Sequence, residues 1–384
     1  MAEATWSYPT RILFGIGAVA DVGKEAKNLG ITKALVVADP GVAKAGLTAP
    51  VEKSLTAAGI EVAHFDAIST NPTEAEAKAA AKAYVDAKAN GVIAVGGGAP
   101  LDVGKVVRVL VTESLPLVEL DDAIGGDAKM KGVFPPMIAI PTTAGTGSEV
   151  GRSGVVTVEK TGKKTIIFHP KLVANVAVLD PKLTESLPPH ITAATGFDAL
   201  THCIEAYLSK GDHPMADAIA LKGIQLAGKF LERAVKNPQD LEARGAMLKS
   251  SMMGAVAFQK GLGVCHSLAH PLGAEHNMHH GLANAICLPA VLDFNRSAVQ
   301  GRVAEVARAL GVRGGDEDTL AFECSGAVRA LRHKVGLPEG LRAQGITDAD
   351  IPKLAKLALE DACHGANPRA CTEQDMEQLY RVSL

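Results

Sequence analysis

The hydrophobic rhythm of the chain changes near its midpoint. In the first half, short β-branched runs alternate with amphipathic stretches. Lys33–Ala38 (KALVVA), Glu61–Phe65 and Gly91–Val95 (GVIAV) read as buried parallel strands. Leu47–Ala58 and Thr73–Ala89 carry apolar residues at helical spacing, and Asn71-Pro72 breaks the chain before the second. This βαβαβ pattern predicts a doubly wound, Rossmann-like parallel sheet with helices on both faces, and Met137–Pro141 (MIAIP) adds a later strand. After about residue 183 the strand signals nearly vanish. Pro189–Leu208, Met215–Val235, Leu241–Phe258 and Ser297–Leu310 repeat their apolar positions every three or four residues. We expect an α/β domain over residues 1–182 and an all-helical domain over 183–384, with the boundary near Pro181–Pro189.

Composition narrows the function. With 47% hydrophobic residues the chain can bury a core, and with 4% aromatics that core must be built from Ala, Val, Leu and Ile. A formal charge of −3 without a basic block argues against nucleic acid or an anionic membrane as partner. No run reaches the roughly eighteen apolar residues of a membrane helix. The opening MAEATWSYPTRILFG lacks a cationic start followed by an apolar stretch, so no secretory signal is expected. The six cysteines form no CxxC pair and read as reduced thiols of a cytoplasmic protein.

Two loops suit a dinucleotide. Gly96-Gly97-Gly98 follows the GVIAV run and leads into a helix, where glycine lets the backbone approach a pyrophosphate and the helix offers free N–H groups. Pro100 suits the first turn, and Asp102 is positioned to help cap it. Taken alone, the same turn equally fits a tight strand-to-helix connection. The second loop, Thr142-Thr143-Ala144-Gly145-Thr146-Gly147-Ser148-Glu149, is rich in hydroxyls at the carboxyl end of a strand. Thr146–Glu149 also fits a capping box, but Ser153–Val158 alternates like a strand, which disfavours a helix there. Asp39, closing the KALVVA run, can accept from an adenosine ribose and repel a 2′-phosphate; the simpler role is a turn residue before Pro40.

The helical half holds a metal-ligand set. Asp198 and His202 are four residues apart, on one helix face. His266, His270, His276, His279 and His280 place five of twelve histidines within fifteen residues. A carboxylate with several imidazoles and no thiolates at ligand spacing suits Fe²⁺ or Zn²⁺ rather than a structural zinc finger. Spacing alone leaves open which histidines ligate.

Together these segments resemble the iron-containing (group III) alcohol dehydrogenases from about Phe14 to Arg369. The motifs are Asp39, Asn71-Pro72-Thr73, GGGAPLD, PTTAGTGSE, TAATGFDALTHCIEAY, HSLAHPLGA with the later HHG, and Asp361–Arg369, which looks like the family's terminal helix motif. The resemblance implies the dehydroquinate synthase-like architecture, with an NAD-binding α/β domain and a helical metal-binding domain. It implies metal ligation by Asp198, His202, His266 and His280, with His270 near the ion as the catalytic proton carrier. It implies NAD contacts from Asp39, Gly97, Gly98, Asp102, Thr142, Thr143 and Lys164, with Asn71 and Ser153 nearby. It further implies Fe²⁺ (alternatively Zn²⁺), a small alcohol or aldehyde substrate, and a homodimer or larger homo-oligomer. Two departures stand out. Ala99 replaces the serine of GGGSP, and His279 replaces the proline of Pro-His-Gly, which is similar to the 4-hydroxybutyrate dehydrogenase-like members. The rival functions are a dehydroquinate synthase-like lyase, which would need a Lys/Arg cluster on the metal helices, and a regulatory protein that binds metal and nucleotide without turnover.

Overall fold

The computed structural model describes Tyr8 and residues 10–384; residues 1–7 and Pro9, including most of the opening read for a signal, lie outside the described residues. The chain divides into two compact units, one of Tyr8–Thr143 with Gly147–Ser186, the other of Ala144–Thr146 with Leu187–Leu384.

The first unit is built on a six-stranded parallel sheet. Its strands are β1 (Arg11–Phe14), β2 (Lys33–Val37), β3 (Glu61–Phe65), β4 (Gly91–Gly96), β5 (Met137–Pro141) and β8 (Val176–Leu179), in the order β1-β8-β5-β4-β2-β3. Between them run α1 (Val22–Asn28), α2 (Pro40–Lys44), α3 (Ala49–Ala57), α4 (Glu74–Asp86) and α5 (Gly98–Leu110). Alternation along each strand divides the core. Ala34, Val36, Ile93, Val95, Ile138 and Ile140 pack with Val22, Ala26, Val51 and Leu55 of α1 and α3. Leu35, Val37, Val92, Ala94, Met137 and Ala139 turn the other way, toward Ala77, Ala80, Leu101 and Val106 of α4 and α5. Helix α4 starts at a capping box, in which Thr73 and Glu76 each satisfy the other's backbone N–H.

Two strand expectations change. Glu61–Phe65 is not buried on both faces, because β3 is the edge strand. The short runs RILF and VAVL, which show too little alternation to stand out, form β1 and β8. Ser153–Val158 is a strand, β6, paired antiparallel with β7 (Lys163–Phe168). No capping box forms at Thr146–Glu149; a 3-10 turn at Ser148–Val150 follows Gly147, which takes a left-handed conformation.

The second unit is helical: α6 (Pro189–Leu208), α7 (Pro214–Lys236), α8 (Leu241–Ala257), α9 (Val264–His276), α10 (His280–Arg296), α11 (Gln300–Leu310), α12 (Glu317–Lys334), α13 (Ile351–Glu360) and α14 (Glu373–Ser383). Helix α6 is its axis. From Thr192 onward every residue except Thr195 is buried, as expected for a helix surrounded by others. The Asp361–Arg369 motif is a 3-10 turn (Ala362–Ala366) and loop rather than a terminal helix, since Pro368 bars continuation; α14 ends the chain instead.

In the first unit, Glu149 sits 1% exposed, and its Oε1 has no hydrogen-bond partner among the described residues. Burial pushes its carboxyl up to about 7, although its own backbone N–H and the Lys105 ammonium oppose the shift. A carboxyl whose folded value is raised contributes stability that is full below its ordinary value of 4.5 and is lost as pH rises through 7. Glu149→Gln should therefore flatten this pH dependence, gaining on the order of 3 kcal/mol over the native chain by about pH 9. Urea denaturation across that range measures it, and parallel pH profiles would contradict it.

Candidate active site

In the helical unit the sequence brings four predicted residues together around one carboxylate oxygen. Asp198 and His202 sit one turn apart on α6, His266 lies on α9, and His280 opens α10. The His202, His266 and His280 Nε2 atoms lie 3.9, 3.9 and 3.4 Å from Asp198 Oδ1. The helices can approach this closely because of Gly281, where a Cβ would stand 2.1 Å from Ala194 O and 3.1 Å from Asp198 Cβ. Asn277, at a φ of 51°, turns the chain from α9 toward α10.

The electrostatics follow from burial against charge. Burial pushes the Asp198 carboxyl up, but the three imidazoles and an Asn284 N–H hold it at about 2, so it stays ionised. Burial holds the His266 imidazole well below its ordinary value, so it stays neutral and keeps a lone pair to offer. Two buried imidazole nitrogens, His202 Nδ1 and His266 Nε2, have no hydrogen-bond partner among the described residues. A buried anion beside three imidazoles, two of which carry a nitrogen without a hydrogen-bond partner, is a donor set that fits a divalent cation.

Sequence reasoning missed the residues that aim this set. Glu205, 3% exposed, contacts His266 Nδ1 through Oε2 at 2.5 Å, while its Oε1 accepts the Cys265 N–H at 2.6 Å. Burial pushes Glu205 up to about 7 against three backbone N–H donors, and its contact with Nδ1 leaves His266 Nε2 facing Asp198. Asn284 Nδ2 donates to Asp198 Oδ1 at 3.0 Å and lies 3.2 Å from His280 Nε2. Both were within reach of helical periodicity: Glu205 is seven residues after Asp198 and three after His202, and Asn284 is four after His280.

His270 joins the group without touching Asp198. Its ring stacks on His280 with centroids 5.2 Å apart, and it stands edge-on to His266 at 6.1 Å. Its Nδ1 meets Asp361 Oδ2 at 2.7 Å. The remaining candidates, His276 at the end of α9 and His279 before α10, are exposed.

The predicted cofactor residues gather in the sheet unit. Strands β2 and β4 are adjacent, yet β2 leads to β3 on one side and β4 connects to β5 on the other, so the space between them is the topological switch point. Asp39 follows β2 and Gly97-Gly98 follow β4. At Gly96 (φ 151°) a Cβ would lie 2.6 Å from Pro100 and 3.3 Å from Asp39 Oδ2, and at Gly97 one would lie 3.4 Å from Thr143. Thr142 N–H donates to Gly96 O at 2.9 Å, joining the two loops. Asp39 also caps α2, with Oδ1 accepting the Val42 N–H at 2.9 Å, which is the turn role, and this cap leaves Oδ2 unused.

Asp102 does not cap α5, whose first residue is Gly98 and whose N-cap, Gly97, has no side chain. Asp102 instead accepts from Ser148 Oγ at 2.5 Å and from the Val155 N–H at 3.2 Å. Beside it, the fully buried Lys105 ammonium donates to Ser148 Oγ at 2.6 Å and Ser153 O at 2.8 Å. This network ties α5 to β6, which carries Ser153. Lys164 is exposed on β7 opposite Thr157, and Asn71 is exposed at the bend before α4.

Elemental analysis after purification separates ligands from bystanders. His266→Ala and His280→Ala should lose bound metal, whereas His276→Ala and His279→Ala should keep it. Glu205→Gln should weaken metal affinity by about 10- to 100-fold in chelator competition, because His266 loses its aim. Unchanged affinity would make Glu205 a packing residue only.

Comparison with known proteins covers both units. Residues 9–181 match the iron-containing alcohol dehydrogenases, and residues 192–384 match the C-terminal part of the Fe-containing alcohol dehydrogenase family. The chain is 39% identical to the 4-hydroxybutyrate dehydrogenase of Cupriavidus necator over 98% of its own length and 99% of that enzyme. It is 35% identical to the NAD-dependent methanol dehydrogenase of Bacillus methanolicus, covering 98% of each. The solved structure of a 1,3-propanediol oxidoreductase superposes with a TM-score of 0.96 at 35% identity, covering 99% of this chain and all of that one. These matches support neither the lyase nor the regulatory alternative. The chain belongs to the iron-containing alcohol dehydrogenase family.

Proposed function

We propose that this enzyme transfers hydride between NAD(H) and a small primary alcohol or aldehyde, with a divalent cation held by Asp198, His202, His266 and His280. The observation that carries this reading is the buried carboxylate with three imidazole Nε2 atoms converging on it within 3.9 Å. When bound there, Fe²⁺ (or Zn²⁺, which the same donors accept) polarises the substrate oxygen. A nicotinamide dinucleotide held at Asp39 and the Gly97-Gly98 turn would supply the hydride donor or acceptor. The protein's own work is to hold the three imidazoles by Glu205, Asn284 and the close helix contact at Gly281, and to move a proton.

His270 is suited to carry that proton. Asp361 engages Nδ1 and so leaves Nε2 as the exchanging atom, and the ring is 44% exposed, open to solvent. In the sheet unit, Asp39 and the glycine turn would receive the adenosine ribose and the pyrophosphate, with Asp102, Thr142, Thr143, Ser153, Lys164 and Asn71 around them. The NAD dependence of the methanol dehydrogenase relative supports this choice of cofactor. Six free cysteines fit a cytoplasmic setting, and the resemblance implies a homodimer or larger homo-oligomer.

A hydroxy-acid substrate is the second reading, favoured by the 39% identity to a 4-hydroxybutyrate dehydrogenase. NADH oxidation by Fe²⁺-loaded enzyme over a panel of neutral aldehydes and the aldehyde acid of 4-hydroxybutyrate decides between them. No turnover on any member would overturn the proposal.

Asp39→Gly should narrow the preference for NADH over NADPH by one to two orders of magnitude, about 1.4–2.8 kcal/mol of removed charge repulsion. An unchanged ratio of kcat/KM values would leave Asp39 as a helix cap. His270→Ala should keep its metal and NADH affinity yet lose roughly 10²-fold or more in kcat. A native kcat would route the proton elsewhere.

A further inference from the structure

A second group of donors also includes His270. His270 on α9, with Asp361 and Cys363 at the start of the Ala362–Ala366 turn, offers one nitrogen, one oxygen and one sulfur, all within 4.8 Å of one another. The carboxylate is held in place before any ligand arrives. Its Oδ1 accepts from Ser267 Oγ at 2.7 Å and from the Cys363 N–H at 2.9 Å, while Oδ2 faces His270 Nδ1 at 2.7 Å. The Ser267 hydroxyl in turn accepts the His364 N–H at 2.9 Å, fastening the turn to α9. The group is accessible: His270 is 44% and Asp361 21% exposed, and the Cys363 residue is partly exposed, unlike the buried Cys203, Cys265, Cys287 and Cys324.

We propose that His270 Nδ1, an Asp361 oxygen and Cys363 Sγ form a second cation site, selective for thiophilic divalent ions such as Zn²⁺ and Cd²⁺. Thiolate, imidazole and carboxylate together suit a tetrahedral ion with water in the fourth position, and they disfavour Mg²⁺ or Mn²⁺. The site differs from the Asp198 group in containing sulfur. Binding balances as follows. The thiol gives its proton to solvent, the thiolate and carboxylate offset the two positive charges, and the Nδ1 lone pair goes to the cation. The single proton of the neutral imidazole then sits on Nε2, so that atom can no longer accept one. Occupation of the site thus inhibits turnover, a consequence that rests on the reading of His270 as proton carrier.

The test is a titration of the Fe²⁺-loaded, full-length enzyme with CdCl₂, following the ultraviolet thiolate-to-cadmium charge-transfer absorption and NADH turnover together. The expected result is a saturable band of one equivalent and a parallel loss of turnover. Cys363→Ser should retain basal turnover, lose the band, and need at least about tenfold more Cd²⁺ for the same inhibition, since losing a ligand costs no less than losing its supporting partner. Asp361→Asn should keep the thiol but weaken the band's apparent affinity by a similar factor. No band in the native enzyme, or a band that survives Cys363→Ser, overturns the site. A band that saturates as expected with turnover unchanged confirms the site and overturns the proton-carrier role of His270.

Discussion

Everything in the helical unit is arranged around one buried negative charge. Asp198 lies inside the axial helix α6, where an isolated carboxylate would be costly and would take up a proton. The three imidazoles and the Asn284 amide reverse that tendency. They come from α6, α9 and α10, so satisfying the charge requires these three helices to meet at one point. The close approach at Gly281 and the left-handed turn at Asn277 are backbone consequences of that requirement. Glu205 extends the arrangement outward: it accepts the backbone N–H groups that open α9 and at the same time orients His266.

The sheet unit solves a different problem, which is to bring the loops at the carboxyl ends of β2, β4 and β5 close together. Glycine at 96 and 97 removes side chains there, and the loops must then be held from beneath. The buried Lys105 and the partly exposed Asp102 do this as a pair whose remaining hydrogen-bonding capacity goes to Ser148, Ser153 and Val155. Burial lowers Lys105 and raises Asp102 from their ordinary values, while each one's charge favours ionisation of the other. An ion pair of this kind adds little net stability.

Most of this was legible where periodicity or ligand chemistry is strong. The helix Pro189–Leu208 is found at the residues its apolar spacing indicates, and the strands β2, β4 and β5 follow their β-branched runs. The Asp198–His202 spacing and the histidine-rich segment marked the site, but which histidines converge depended on how α9 meets α10, which no local pattern encodes. Asp102 was misplaced because a carboxylate in a first turn resembles a cap; its partners on Ser148 and Val155 are more than forty residues away in sequence. The strands β1 and β8 escaped because runs of three or four apolar residues carry no readable period. Asp361 was visible only as part of a motif, since its pairing with His270 spans 91 residues.

The central claim is that Asp198 and its three imidazoles are a cation site rather than a self-sufficient buried salt-bridge cluster. Anomalous X-ray scattering from crystals grown with Fe²⁺ tests it directly. The account predicts one strong peak at coordination distance, roughly 2.0–2.2 Å, from an Asp198 oxygen and from the His202, His266 and His280 Nε2 atoms. A fully loaded crystal with the peak elsewhere, and these four residues in contact only with one another, would contradict it.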